Sequence, residues 1–189
     1  MNIIDGKKIS NKIKDELKSI IEENNITPGL GIILVGNRPD SKIYVNMKKK
    51  ACEKLGIKNF DVHLNEDVSE EVIINEVEKM NNNENIHGIL IQLPLPKHIN
   101  EQNVLSHVLL EKDVDGFHVQ NVGNLALKRL DKCYAPCTPT GCIELLKRYN
   151  IEISGKHVVI LGRSNIVGLP LSLLFLHSNA TVTICHSRT

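Results

Sequence analysis

Gly88-Ile-Leu-Ile-Gln-Leu-Pro-Leu-Pro96 is the stretch that decides how the chain folds. Its first four residues are apolar without alternation, the pattern of a strand covered on both faces in a parallel sheet. Pro94 and Pro96 then stop the strand, because proline donates no ladder hydrogen bond and restricts the residue before it. Gln92 is left at the strand's carboxyl end, where open α/β sheets place their ligands. A polar amide ending so apolar a run needs a partner, since burying it unpaired costs about 1–3 kcal/mol. In the bland case loop backbone is that partner; in the functional case a ligand is involved.

Working outward, the same apolar, non-alternating pattern recurs at Leu30-Gly-Ile-Ile-Leu-Val35, while Phe60-Asp-Val-His-Leu64 alternates like a half-covered strand. Between them the three-to-four spacing of apolar residues predicts helices over 7–24, 41–55 and from Asp67 or Ser69 through Met80. Helix and strand therefore alternate, which argues for a parallel α/β sheet with right-handed crossovers. Beyond Pro96 a short helix is expected over 100–110, then the acidic turn Lys112-Asp-Val-Asp-Gly116. Residues 121–132 read as loop, and Cys137-Thr-Pro-Thr-Gly-Cys142 opens a helix through Tyr149, with Pro139 suited to its first turn.

Composition narrows the function classes. The chain has 189 residues, 41% hydrophobic, with a formal net charge of +1. That is enough for one domain and part of another. So balanced a charge gives no argument for nucleic acid or an anionic membrane as partner. Aromatic residues are 3% and Trp is absent, which removes the stacking platforms of single-strand binders. No apolar run approaches a membrane span, and Met1-Asn-Ile-Ile-Asp5 lacks a signal-peptide layout. A cytoplasmic, reducing home is the expectation. Five cysteines, an odd number, agree with it; Cys133, Cys137 and Cys142 lack the paired spacing of structural zinc, so neither metal nor disulfide is expected.

Three local patterns carry chemistry. Tyr44 and Lys48 are four residues apart, so they share one face of the second helix, near its expected start. A partly buried lysine there can exchange protons near neutral pH, whereas a solvated one keeps its stem over a ring and its charge in water. Asp115, before Gly116, is a turn former or a carboxylate at the sheet edge able to hold an amino-pyrimidine edge through two hydrogen bonds. Finally, the buried-type strand Lys156-His-Val-Val-Ile-Leu161, the loop Gly162-Arg-Ser-Asn-Ile-Val-Gly168, a helix over 170–176 and the strand Ala180-Thr-Val-Thr-Ile-Cys185 form a dinucleotide-binding half. Ser164 replaces the middle glycine of the usual triplet, and Gly168 falls one residue late. No acid follows the second strand, only His186-Ser-Arg-Thr189, and Arg163 stands in the loop; that chemistry favours a 2′-phosphate, hence NADP.

Together, Tyr44 with Lys48, Ile89-Leu-Ile-Gln-Leu-Pro-Leu-Pro96, Lys112-Asp-Val-Asp-Gly116, Cys137-Thr-Pro-Thr-Gly-Cys142 and Gly162-Arg-Ser-Asn-Ile-Val-Gly168 resemble the bifunctional methylenetetrahydrofolate dehydrogenase/cyclohydrolase family. The resemblance runs from Asp5 to the last residue. It implies a homodimer of two-domain α/β subunits, with a folate-binding catalytic domain over 1–118, a Rossmann-like NADP domain over 119–189, and folate in the cleft between them. The implied reaction is NADP-dependent oxidation of methylenetetrahydrofolate to its methenyl form, followed by hydrolysis to formyltetrahydrofolate in one-carbon metabolism. The family's catalytic residues fall on Tyr44, Lys48, Gln92 and Asp115, with Pro94 beside the folate. By the same resemblance Lys48 handles the proton of hydrolysis, Gln92 orients it, Tyr44 packs on the folate and Asp115 holds the pterin edge. NADP would be bound by Gly162, Arg163, Ser164, Ser187 and Thr138. The family's pattern runs on for on the order of 100 residues past this point, so an incomplete nucleotide domain is expected, and with it the rival readings of a monofunctional relative or a binding module without turnover.

Overall fold

The computed structural model describes residues 3–189. Its contacts divide the chain into two compact units, Lys12–Val114 and Met1–Asn11 with Asp115–Thr189. The dividing line passes through the first helix, α1 (Gly6–Glu23).

In the first unit, β1 (Gly29–Val35), α2 (Pro39–Leu55), β2 (Lys58–Leu64), α3 (Glu70–Asn81) and β3 (Gly88–Ile91) alternate. The strands pair in parallel in the order β2-β1-β3, which is the parallel sheet that the alternation predicts. Successive side chains of β1 point to opposite faces. Ile32 and Leu34 enter a cluster with Val45 and Leu90, and Ile33, on the other face, is also fully buried. The central strand is thus covered on both sides. β2, at the edge, is only half covered, as its alternating pattern requires. α4 (Glu101–Ser106) comes after the proline segment and is shorter than the 100–110 expected.

In the second unit, α6 (Cys137–Arg148), β4 (His157–Leu161), α7 (Gly168–His177) and β5 (Thr181–Cys185) come in order, and β4 and β5 pair in parallel. Ile143, Ile160, Phe175 and Ala180 form its core, with Val158, Leu174 and Val182 packed around them.

Two expectations need correction. Residues 121–132 are not all loop: α5 spans Val119–Ala126. Its propensity is poor, with Gly123 and two asparagines. Tertiary packing overrides that, for Leu125 and Asn121 are each 1% exposed, and the Asn121 side chain accepts a hydrogen bond from the Tyr134 N–H. The signal for the helix is the spacing of Val119, Val122 and Leu125. Second, β4 reads as a strand buried on both faces, yet only Val158 and Ile160 face the core; Val159 is 54% and Leu161 85% exposed.

Candidate active site

Lys48 and Gln92 meet at the carboxyl end of the first sheet. Lys48 Nζ donates to Gln92 Oε1 at 3.2 Å. The amide's other end is tied down as well, since Gln92 Nε2 donates to the Leu93 carbonyl at 2.8 Å. Its backbone N–H continues the ladder to Ile33. Loop backbone and the Lys48 side chain therefore share this glutamine, and sharing fixes its orientation. An ammonium only donates, so it meets the amide oxygen, and the nitrogen's hydrogen bond to Leu93 holds the amide in that orientation. Both residues are partly buried, so a substrate can reach them.

α2 supplies the lysine. It begins at Pro39, two residues earlier than the sequence suggests, with Pro39 suited to the first turn. Lys48 consequently stands in the middle of the helix, not near its start, and beyond the first turn where a helix dipole acts. Tyr44, one turn back on the same face, is 60% exposed. Where the helix starts, Asp40 accepts two hydrogen bonds from Arg38 and one from the Ser41 N–H. The Arg38 hydrogen bonds, with that N–H, hold the Asp40 carboxyl down at about 2. On another side of α2 lies a cavity of about 210 Å³ lined by Lys42, Asn46, Lys49, Asp61 and His63 among others. It includes none of Tyr44, Lys48 or Gln92, and Lys49 is already paired with Asp61 at 2.7 Å.

Pro94 is exposed just past Gln92. Asp115 is partly buried, and the Cys137 thiol lies 3.7 Å from its Oδ1, within reach of a sulfur hydrogen bond. Thr138 is exposed in the first turn of α6.

The strand–loop–helix at β4 and α7 has the construction its glycines imply. Gly162 adopts φ +118°, a left-handed value that side chains rarely tolerate. Gly168 begins α7 so close to the loop that a Cβ there would lie 2.3 Å from the Gly162 carbonyl oxygen. Such close approach is what a dinucleotide loop uses its glycines for. Ser164 has a role the sequence does not display: its hydroxyl accepts from the N–H groups of Val167 and Gly168 at 3.2 and 3.3 Å, tying the loop to the start of α7. Arg163 is exposed and makes no ion pair among the described residues. Ser187 lies in the exposed turn after β5, where no carboxylate stands. Basic, acid-free and glycine-tight, the loop suits a phosphorylated dinucleotide.

The model of the tetrahydrofolate dehydrogenase/cyclohydrolase catalytic domain matches residues 4–115, and that of the family's NAD(P)-binding domain matches 136–189. The chain belongs to this family. Its relatives include the chloroplastic bifunctional protein FolD 4 of Arabidopsis thaliana, 54% identical over 99% of this chain and 53% of the relative. The crystal structure of the Campylobacter jejuni bifunctional enzyme FolD matches with a TM-score of 0.96 and 45% identity, covering 100% of this chain and 68% of that one. The Trypanosoma brucei enzyme, solved with NADP cofactor and inhibitor, matches with a TM-score of 0.94 and 39% identity, covering 100% of this chain and 65% of that one. The chain thus spans 53%, 64% and 66% of the length of three curated family relatives. The fold is that of a folate catalytic domain and a Rossmann-like NAD(P)-binding domain.

Proposed function

We propose that this chain carries the folate chemistry of a bifunctional enzyme that oxidises methylenetetrahydrofolate with NADP and hydrolyses the methenyl product to formyltetrahydrofolate. The observation that carries the reading is the Lys48–Gln92 hydrogen bond, formed at the sheet edge where such folds bind ligands.

In hydrolysis, water adds to the methenyl carbon, a proton leaves that water, and a ring nitrogen must take one up as the carbon–nitrogen bond breaks. Lys48 is the group placed to carry the proton. Gln92 holds the lysine by its oxygen and keeps it aimed. Tyr44, exposed on the same helix face, supplies a ring to pack on the folate, and Asp115 supplies a carboxylate for the pterin edge. Pro94, exposed after Gln92, borders the substrate.

Oxidation asks less of the protein. The methylene carbon lies between two nitrogens, so the cation left when hydride departs is shared as an amidinium, and the protein's task is to hold that carbon in place. Bound NADP would supply the hydride acceptor. Gly162, Arg163 and Ser164 in the loop, Ser187 after β5 and Thr138 on α6 would hold it, Arg163 reading the 2′-phosphate. The Trypanosoma relative's NADP complex supports the choice of cofactor.

Homodimerisation is part of the reading. Leu169 and Leu176, 39% and 57% exposed, lie one above the other on the outer side of α7, while Phe175 packs inward; an apolar stripe of this kind suits a second copy. Among the described residues none of the five cysteines is in a disulfide, which suits a cytoplasmic setting. Among the described residues no helix is long and apolar enough to cross a membrane.

Loss of the methenyl-folate absorbance band, followed with purified protein, tests the assignment. Lys48→Met should abolish hydrolysis while the protein still binds tetrahydrofolate by calorimetry. Hydrolysis at the parent rate in that variant would remove Lys48 from the mechanism.

A further inference from the structure

Lys112 opens the acidic turn and has no part in the chemistry above, yet its ammonium is fully engaged. Nζ donates to the carbonyls of Asn81 at 2.7 Å, Asn83 at 3.0 Å and Met80 at 3.3 Å. These carbonyls close α3, the negative end of a helix dipole, and a compact ammonium with three donors is matched to them. Next to it the Asn81 side chain donates to the His107 carbonyl and accepts from the Leu109 N–H. The approach to Lys112 is therefore stitched to the end of α3 from two sides.

The next two residues are equally fixed. Asp113, 4% exposed, forms a parallel bridge with Ile89 of β3. Val114 lies so close to Gly88 that a Cβ there would meet its Cγ1 at 2.5 Å. Residues 112–114 thus run alongside β3 in its own direction, clamped by an ammonium at the start and by the bridge in the middle. A strand paired over a single residue has little to hold its register, and the Lys112 clamp provides it.

We propose that Lys112 is a positioning residue of the folate site: it fixes the register of the segment that leads into Asp115, and acts on substrate affinity through Asp115. The proposal rests on the reading that Asp115 binds the folate.

A double-mutant cycle tests it. KM and kcat for methenyl-folate hydrolysis, and the thermal midpoint, are measured for the parent, Lys112→Met, Lys112→Arg, Asp115→Ala and Lys112→Met with Asp115→Ala. Losing a set of charge-assisted hydrogen bonds should raise KM about tenfold in Lys112→Met, with kcat within about twofold because Lys48 and Gln92 are untouched. Lys112→Arg should fall between, since a flat guanidinium cannot converge its donors on three carbonyls. In the Asp115→Ala background Lys112→Met should add nothing to KM. An unchanged KM in folded Lys112→Met would overturn the proposal, as would an undiminished KM rise in the Asp115→Ala background, which marks a general structural role. If Lys112→Met does not fold, Lys112→Arg takes its place in the cycle. Failure of the functional reading looks different: active Lys48→Met removes Lys48 and leaves the cycle readable, whereas a parent protein that neither binds tetrahydrofolate nor hydrolyses its methenyl form overturns both.

Discussion

Lys48 and Gln92 are 44 residues apart in the chain and 3.2 Å apart in space, and the two numbers separate what sequence shows from what it hides. The helix face that Lys48 shares with Tyr44 is readable from helical spacing, though not its distance from the helix start, and Gln92's place is readable from the prolines that end β3. Their hydrogen bond is not, because it depends on how α2 lies over the sheet. Arg163 is a simpler case: its place in the loop is local, and it is exposed with no ion pair among the described residues. Its guanidinium is therefore available to a phosphate. Arg163→Ala should weaken NADP by about 1.5–3 kcal/mol, the range of a hydrogen bond to a charged group, and NAD far less. Titrating both cofactors against parent and variant checks this; equal losses for the two would show that Arg163 does not read the 2′-phosphate.

Among the elements, the buried strands β1 and β3 are legible because covering on both faces leaves an unbroken apolar run. β4 carries the same kind of run, Val-Val-Ile-Leu, but one face of it stays open, since composition records what a strand can bury and not what is there to cover it. α5 escapes a sequence reading for the opposite reason: its glycine and asparagines hide a helix that packing holds. The start of α2 is also displaced, because Pro39 and Asp40 read as turn residues although both are favourable in a first helical turn. Asp40 makes that start testable. Its carboxyl is lowered in the folded chain to about 2 by Arg38 and the Ser41 N–H, against about 4 in an unfolded one. A depressed carboxylate favours the folded state above its unfolded value and loses that effect as pH falls through about 2. Carboxyl chemical shifts tracked by NMR should place the Asp40 midpoint near 2, and Arg38→Ala should move it up towards 4. A midpoint near 4 in the parent would mean that this pair does not form in solution.

At the scale of the whole molecule, the two units differ in how their sheets are held. β1 is flanked by a strand on each side, and Ile32 and Ile33 are 1% and 0% exposed. β4 pairs with β5 alone among the described residues, and an edge strand leaves every second N–H without a strand partner. Local opening takes the least free energy where buried apolar contacts are few and backbone is near water. Native-state hydrogen exchange should therefore find its slowest amides at Ile32, Ile33 and Leu34. Val158 and Ile160 should exchange faster by at least about tenfold, and Val159 and Leu161 faster again. The comparison is internal to one sample, so solubility and concentration do not enter it. Equal protection across β1 and β4 would show that the second unit closes its sheet in solution by some contact of its own. A second copy seated on it would do that, and dilution would then expose β4 to exchange while leaving β1 as it was.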